Sequence, residues 1–290
     1  MPELPEVEHV KRGIQPFVQG QTIESVVFSD KVKEGKAANK ETIIKGLALD
    51  TFQHLTEKFV IKDIERRSKY IVFYLQRDDE ERILISHLGM AGGFFVVDSV
   101  EDISVANYRK HWHVIFKLNN GKLLVYSDIR RFGEIRNVSS FEAYPSFLEI
   151  APEPFTEAAM PHYLSWFGKK LYQNKPIKQM ILDHRVISGC GNIYACEALF
   201  RAGIHPARLS KDLNHQEREM LFYYVREVLE AGIKYGGTSI SDYLHADGSK
   251  GSMQLHLNVY KQKVCKVCGN DIETQVIATR NSHFCATCQK

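Results

Sequence analysis

The segments KYIVFYL at residues 69–75 and ILISHL at residues 83–88 decide the fold of the N-terminal half. Both are short runs of Ile, Val, Leu, Tyr and Phe, and a polar stretch rich in Asp and Glu separates them. The same composition occurs in HWHVIFKL at residues 111–118 and in KLLVYS at residues 122–127. Short β-branched and aromatic runs bounded by turn residues are typical of antiparallel strands. Residues from about 20 to 138 are therefore predicted to form a β-rich domain, either a sandwich or a flattened barrel.

A helix is predicted before these strands. Its apolar face consists of Val7, Val10, Ile14 and Phe17, which recur at helical spacing. This helix is expected to end at Gly13 or Pro16.

Helical patterns also fill the C-terminal half. PIKQMILDHRVI begins with Pro176, which suits a first turn, and NIYACEALF begins with Asn192, a good N-cap residue. The segment EMLFYYVREVLEAGI carries one apolar stripe, formed by Leu221, Val225, Val228 and Leu229. Residues 136–154 show no clear period and are interpreted as a linker. Strands followed by helices indicate a multi-domain chain rather than a single α/β sheet.

The composition excludes several classes of protein. The chain has 290 residues, 44% of them apolar, and a net charge of +3, which are ordinary values for a globular protein of two domains. No apolar run approaches the roughly 20 residues that a membrane-spanning helix needs. The N-terminus lacks the basic-then-apolar order of a signal peptide. We therefore expect a cytoplasmic protein with no membrane partner.

Four cysteines near the C-terminus give the strongest local signal. Two C-x2-C pairs are separated by sixteen residues, and such spacing predicts one structural Zn²⁺ held by Cys265, Cys268, Cys285 and Cys288. The residues between the pairs are predicted to form a zinc-held hairpin. Lys and Arg outnumber Asp and Glu in this tail, which suits a polyanion without establishing DNA binding.

The remaining cysteines and one histidine have simpler interpretations. Cys190 and Cys196 are interpreted as small buried residues outside the metal site. His283 is interpreted as a surface histidine, because four cysteines already complete a tetrahedral site.

Three other motifs are ambiguous when each is taken alone. GCGNIY either exposes backbone N–H groups to a phosphate or forms a plain connection capped by asparagine. SDIRRFGEIR places two arginines and a phenylalanine at a strand end, where a solvated turn is the usual reading. HLGMAGG places Met90 among glycines, where methionine usually fills a gap.

Taken together and in order, the motifs resemble a known family. MPELPEVE, RRSKY, HLGMAG, DIRRFG, PIKQ, GCGNIYACEALFRAGIHP and the cysteine pairs resemble the bacterial formamidopyrimidine-DNA glycosylases, the 8-oxoguanine-excising relatives of endonuclease VIII. The resemblance covers nearly the whole chain. It implies an α+β multi-domain fold, with an N-terminal helix and β-sandwich, a helical helix–two-turn–helix domain and a zinc-held β-hairpin finger. The implied parts are a catalytic sandwich domain at 1–138, a linker at 139–157, the helix–two-turn–helix domain at 158–235, a base-lid loop at 236–254 and the zinc finger at 255–290.

The resemblance also implies a covalent mechanism. Removal of Met1 would leave Pro2 as an N-terminal secondary amine, a group whose reference pKa is about 8. Pro2 would attack C1′ of the deoxyribose and form a Schiff base, after which β- and δ-elimination would cut the strand. Glu3 is the implied general acid and base, and Lys69 would meet the phosphate or sugar at the lesion. Glu6 is expected to hold the terminus in place.

The implied DNA contacts fall into two groups. Met90, Arg130 and Phe132 match the positions that fill the space left by the extruded base, with Arg130 facing the orphaned base. Phosphate-contacting positions are matched by His87, Arg131, Asn192 and Arg280, and Arg280 is counted with the catalytic residues.

Three short stretches depart from the family pattern. GSMQ stands where an aromatic residue often follows the glycine of the lid, the spacer before Cys265 is shortened, and RNSH stands where RGTH-like residues are common. These departures leave the lesion preference open. The sequence predicts a monomeric, bifunctional DNA glycosylase and abasic-site lyase acting on oxidised purines in duplex DNA. The alternatives are the same chemistry on oxidised pyrimidines, and a catalytically silent zinc protein that binds DNA.

Overall fold

The computed structural model describes residues 2–40, 43–239 and 248–290, and the chain divides into two units. The first unit comprises Met1–Leu148 and Gly236–Gly251, and the second comprises Glu149–Tyr235 and Ser252–Lys290. None of the helices within the described ranges is long and apolar enough to cross a membrane.

The first unit contains five α-helices and eight strands among its described residues. In chain order they are α1 (Leu4–Val18), β1 (Ile23–Phe28), α2 (Asp30–Ala37), α3 (Leu49–His54), β2 (Val60–Arg67), β3 (Tyr70–Arg77), β4 (Glu80–His87), β5 (Gly92–Val97), α4 (Ala106–Lys110), β6 (Trp112–Leu118), β7 (Leu123–Asp128), β8 (Glu134–Val138) and α5 (Pro145–Leu148).

The strands form two four-stranded antiparallel sheets, in the orders β1-β6-β7-β5 and β2-β3-β4-β8. The four strand segments quoted from the sequence coincide with β3, β4, β6 and β7 to within one residue at one end, so these predictions are confirmed. Phe73 of one sheet meets Phe94 of the other edge to face, with ring centroids 5.6 Å apart. Two sheets packed through such side chains make a sandwich, which settles the choice between sandwich and barrel.

Helix α1 packs its apolar face against the sandwich. Val7, Val10, Ile14 and Val18 are all buried. The predicted end at Gly13 or Pro16 is wrong, because the helix continues to Val18. Pro16 costs about 3 kcal/mol in a helix interior. Burial of Ile14 and Val18 contributes about 1.5–3 kcal/mol for each side chain, which offsets that cost.

Two details of the first unit differ from the sequence analysis. Phe17, predicted on the buried face of α1, is 53% exposed, and Val18 takes its place in the core. The segment interpreted as a linker contains ordered structure, since the rings of Phe141 and Phe147 stack with centroids 5.1 Å apart.

The second unit is helical and ends in a hairpin. Its elements are α6 (Ala159–Ser165), α7 (Lys170–Gln173), α8 (Ile177–Ile181), α9 (Asn192–Arg201), α10 (His215–Lys234), β9 (Glu273–Ile277) and β10 (Arg280–Phe284). The predicted stripe of α10 is buried, and β9 and β10 pair as the expected hairpin. Asn192 is not the N-cap of α9, because Gly191 occupies that position and the Asn192 amide is used elsewhere.

An ion pair between α1 and β2 provides the first testable prediction. Glu8 accepts hydrogen bonds from Arg66 at 2.9 Å and Arg12 at 2.6 Å. Burial raises the pKa of Glu8, but the charges of Arg66 and Lys11 and the two hydrogen bonds together hold it below its ordinary value of 4.5. A lowered folded-state pKa means that the stabilisation is complete above the unfolded-state value and is lost as the pH falls through the folded-state value.

Glu8→Gln is therefore expected to lower the free energy of unfolding at neutral pH by about 1–2 kcal/mol. The difference from the parent protein should shrink as the pH falls below 4.5. Urea unfolding across this pH range measures both effects. Glu24→Gln, at an exposed position of β1, is the matched control and should change neither quantity. A pH-independent effect of Glu8→Gln would contradict this account.

Candidate active site and metal centre

The N-terminal turn of α1 is held by a buried carboxylate. Pro2 and Glu3 are both buried, and Glu3 stands directly before the helix. One oxygen of Glu6 accepts the backbone N–H of Glu3 at 2.8 Å, and the other accepts the N–H of Thr238 at 2.7 Å. Glu6 is itself only 1% exposed. The residue that follows Pro2 is thus fixed by its main chain, which is the geometry needed to hold a terminus in place.

Lys69 lies in the tight turn between β2 and β3. The preceding Ser68 has φ +57°, and Lys69 is half-buried. The guanidinium of Arg66 donates to Ser68 O at 3.2 Å and to the Glu8 carboxylate on α1 at 2.9 Å. One arginine therefore fastens the turn that carries Lys69 to the first turns of α1. This link joins the turn that carries Lys69 to the helix that follows Pro2.

The loop of residues 129–133 presents the predicted wedge side chains. Asp128, which is 0% exposed, accepts the N–H of Arg130 at 3.0 Å and that of Gly133 at 2.8 Å. Between these anchors Phe132 is 61% exposed, and the Arg130 guanidinium lies 5.0 Å from the centre of its ring. The buried hydrogen bonds of Asp128 thus fix the backbone on both sides of Phe132, and its ring is presented to solvent.

The backbone of the loop that carries Met90 lies directly against the backbone of the 129–133 loop. Gly89 has φ +62°, and a Cβ at this position would overlap Gly133 N. A Cβ on Gly133 would overlap the Tyr126 hydroxyl and lie 2.7 Å from His87 O. His87 also accepts the N–H of Gly89 on its Nδ1 at 3.1 Å. The structure thus brings His87, Met90, Arg130, Arg131 and Phe132 together at one corner of the first unit.

The buried side chain of His113 lies behind the same corner and bonds the residue at which β7 ends. Its Nε2 donates to Asp128 O at 3.0 Å, so its Nδ1 is the acceptor that faces the Ser29 hydroxyl at 3.2 Å. Burial lowers the pKa of His113 more than Asp128 raises it, which keeps the ring neutral. Ser29 precedes α2, so His113 joins the start of α2 to the end of β7.

The ends of the predicted base lid are described, while its centre at residues 240–247 lies outside the described residues. Gly236 and Gly237 have φ +78° and +77°. A Cβ on Gly251 would overlap the carbonyl oxygens of both, and the Gly251 N–H donates to the Ser239 hydroxyl at 3.0 Å. The two stems of this segment are therefore in direct backbone contact.

Arg280 and Asn192 are both in the second unit. Arg280 is exposed and opens β10 after a turn in which Ala278 and Thr279 have φ +51° and +60°. The Asn192 amide donates to Asn281 O at 2.9 Å, while its Oδ1 is buried and meets no hydrogen-bond partner within the described part of the chain. Asn192 therefore fixes the backbone beside Arg280.

Lys178 anchors the hairpin from the helical side. It is 0% exposed, and its ammonium donates to the Ser282 hydroxyl at 2.6 Å and lies 3.3 Å from Cys196 Sγ. Cys190 and Cys196 are buried outside the cysteine cluster, as predicted. His283 is not a surface residue: it is half-buried, with its ring 4.8 Å from that of Tyr260.

The four predicted cysteines form one cluster whose sulfur atoms all lie within 4.8 Å of one another. Cys265 and Cys288 have their sulfurs 3.9 Å apart, and Cys268 and Cys285 have theirs 3.4 Å apart. A tetrahedron with zinc–sulfur bonds of about 2.3 Å has edges of about 3.8 Å. The donor set and its dimensions therefore fit a zinc ion.

Sequence reasoning missed two buried carboxylates. Asp128 organises the 129–133 loop, and Glu197 accepts the backbone N–H groups of residues 258, 259 and 260 at 2.8–2.9 Å. The available signal was a single acidic residue at the end of an apolar strand and another inside the apolar helix segment YACEALF. Both are 0% exposed, and a buried carboxylate needs hydrogen-bond partners.

Family models match three consecutive parts of the chain. They are the formamidopyrimidine-DNA glycosylase N-terminal domain at residues 1–135, the formamidopyrimidine-DNA glycosylase H2TH domain at residues 150–243, and a zinc finger found in FPG and IleRS at residues 262–290.

Relatives and solved structures agree with these matches. A formamidopyrimidine-DNA glycosylase of Histophilus somni is 35% identical over the full length of both chains. A Lactococcus lactis FPG variant in complex with DNA containing Fapy-dG is 31% identical, with a TM-score of 0.84 over the full length of both chains. The wild-type L. lactis FPG, in complex with DNA containing an oxidised pyrimidine, is 31% identical, with a TM-score of 0.83 and the same coverage.

The glycine contact at the corner gives the second prediction. Gly133→Ala would force a Cβ into the Tyr126 hydroxyl and the His87 carbonyl, so we expect it to lower the free energy of unfolding by about 1–3 kcal/mol. Urea unfolding measures the loss. Gly168→Ala is the matched control, since a Cβ there meets nothing within 4 Å. Equal unfolding midpoints for the two variants would show that the loops do not depend on this contact.

Proposed function

We propose that this chain, which belongs to the formamidopyrimidine-DNA glycosylase family, excises oxidised purines from duplex DNA and then cuts the strand at the abasic site. The substrates would be 8-oxoguanine and formamidopyrimidines. The observation that carries the proposal is the fixed N-terminal turn, in which Glu6 holds the backbone next to Pro2 through two hydrogen bonds of 2.7–2.8 Å.

Pro2 is the proposed nucleophile. With Met1 removed, its secondary amine has a reference pKa of about 8, so an unprotonated fraction exists at neutral pH. The nitrogen lone pair forms a bond to C1′ of the deoxyribose, and the bond from C1′ to the damaged base breaks. The sugar ring then opens to give an iminium, in which the positive nitrogen acidifies the neighbouring C2′ proton.

Glu3 is the proposed acid and base for these proton transfers. It protonates the ring oxygen as the sugar opens and later removes the C2′ proton, which expels the 3′ phosphate by β-elimination. A second elimination expels the 5′ phosphate. Lys69 would neutralise phosphate charge as each leaving group departs, a task that suits an ammonium held in a tight turn.

The corner of the first unit is the proposed surface for base extrusion. Taking a base out of the stack costs a few kcal/mol, and apolar side chains that fill the gap offset part of that cost. Phe132 and Met90 would fill the gap, while Arg130 would hydrogen-bond the orphaned base. His87, Arg131, Asn192 and Arg280 would contact backbone phosphates, and duplex DNA carrying oxidised bases or abasic sites is therefore the proposed partner.

The cysteine cluster is the proposed site of one structural zinc ion. Four thiolates and no open position make such a site structural rather than catalytic. The ion would stabilise the hairpin that carries Arg280.

Oxidised pyrimidines are a second candidate substrate class. The departure of GSMQ from the family pattern at the predicted lid, and the L. lactis complex with an oxidised pyrimidine, support testing them. A panel of duplexes that differ only in the lesion would rank both classes under identical conditions.

Borohydride trapping tests the chemistry. We expect the protein with a free Pro2 to form a covalent adduct with a lesion-bearing duplex in the presence of borohydride, because the iminium is reduced to a stable amine. A matched preparation whose N-terminus is acylated should bind the same duplex without forming the adduct. Trapping by the acylated protein would point to Lys69 or another amine as nucleophile. If the correctly processed protein formed no adduct, the catalytic proposal would fail, and the alternative of a catalytically silent DNA-binding protein would stand.

Removal of one thiolate tests the metal site. Cys268→Ser changes an exposed ligand, so little packing is lost, and we expect zinc content to fall from one per chain to near zero and DNA binding to weaken. Elemental analysis and equilibrium binding measure the two effects. Cys190→Ser changes a buried thiol outside the cluster and should keep the metal. If the metal-free Cys268→Ser protein bound DNA with full affinity, the hairpin would not be part of the DNA-binding surface.

A further inference from the structure

A cavity of about 520 Å³ opens between α2 and the 129–133 loop in the first unit. Lys31 and Lys40 line it from the side of α2, and Arg130, Arg131 and Phe132 line it from the side of the loop. Gly35 of α2 and Ala38, directly after the helix, also line the cavity, and their small size leaves the space open. This volume lies within the range of about 300–1,000 Å³ that is usual for ligand sites.

The wall of this cavity is strongly basic. Four cationic side chains face one carboxylate, that of Glu34, which gives the wall a net charge of +3. Glu34 is paired with Lys31 at 3.2 Å, but both side chains are about two-thirds exposed, so the pair contributes little and opens readily. Guanidinium groups bind phosphate through paired N–H donors, and ammonium groups add compact positive charge. The chemistry of the wall therefore selects a phosphate-type anion.

Both sides of the cavity are fixed to the same buried histidine. Ser29, at the start of α2, donates its N–H to His113 O at 3.0 Å and has its hydroxyl 3.2 Å from His113 Nδ1. His113 Nε2 donates to Asp128 O at 3.0 Å, and the Asp128 carboxylate holds the backbone of Arg130. The distance between the two basic walls is thus set inside the protein before any ligand binds, and such preorganisation favours binding.

We propose that this cavity binds the phosphodiester backbone of the undamaged strand, the strand opposite the lesion. The inference rests on the proposed function, which assigns Arg130 to the orphaned base of that strand. Because Arg130 also lines the cavity, the phosphates nearest to it would belong to the strand of the orphaned base. The cavity would hold that strand while the damaged nucleotide leaves the duplex.

Salt dependence of binding is the first test. Lys31→Gln/Lys40→Gln removes two cations from the cavity without touching the loop. Binding of this variant to a duplex with an abasic-site analogue should be weaker. The slope of log Kd against log salt should fall by about 2, because each neutralised phosphate contributes about 0.9. Lys33→Gln/Lys36→Gln, on the same helix but outside the cavity, is the control and should keep the parent slope.

Uncharged phosphates identify the strand. Methylphosphonate linkages next to the lesion position, placed in the undamaged strand, should weaken binding of the parent protein and weaken binding of the Lys31→Gln/Lys40→Gln variant much less. The same linkages in the damaged strand should weaken both proteins equally. A salt slope of the variant equal to that of the parent would overturn the proposal. So would a variant that had become insensitive only to methylphosphonates in the damaged strand.

Borohydride trapping separates this proposal from the proposed function. The Lys31→Gln/Lys40→Gln variant should form as much adduct as the parent at saturating protein concentration, since neither lysine takes part in the chemistry. If the parent protein forms no adduct, the proposed function fails, while the salt and methylphosphonate measurements still report on the cavity.

Discussion

The buried carboxylate of Asp128 organises the surface that the first unit offers to a ligand. A carboxylate taken out of water costs several kcal/mol unless hydrogen bonds satisfy its oxygens. Here the backbone N–H groups of Arg130 and Gly133 satisfy one oxygen each, at 3.0 and 2.8 Å. Burial also raises the pKa of Tyr126 well above its ordinary value, so its hydroxyl stays protonated beside the carboxylate. These hydrogen bonds hold the loop from its buried side, and the side chains of Arg130, Arg131 and Phe132 are exposed to solvent.

The same device occurs at two other places in the chain. Glu6 accepts the backbone N–H groups of Glu3 and Thr238, and Glu197 accepts those of residues 258–260. A carboxylate only accepts hydrogen bonds and has room for about four, so it can fix several main-chain groups at once. At each of these places the carboxylate fixes the main chain of a segment distant in sequence or of the turn beside it.

Local patterns in the sequence predict what local interactions determine. The strands, the stripe of α10 and the cysteine spacing each depend on residues close in the chain, and all three were predicted. The end of α1 was not, since the packing of Val18 against the sandwich outweighs the effect of Pro16. Asn192 was assigned to the cap of α9, whereas its amide bonds Asn281, a residue far along the chain. The role of His113 likewise depends on Ser29 and Asp128, which are distant from it in the chain.

The turn before Arg280 shows how such distant contacts maintain a local conformation that the sequence disfavours. Ala278 and Thr279 both adopt left-handed backbone angles, which cost L-residues about 1–2 kcal/mol each and are most costly for a β-branched side chain such as threonine. Asn-Gly or Gly-Gly would form a two-residue turn of this kind without that cost. The conformation persists because the neighbouring residues are held from outside the turn, Asn281 by Asn192 and Ser282 by the buried Lys178. Strain of this kind is commonly found where a fold positions a functional side chain, and here the side chain that follows the turn is Arg280.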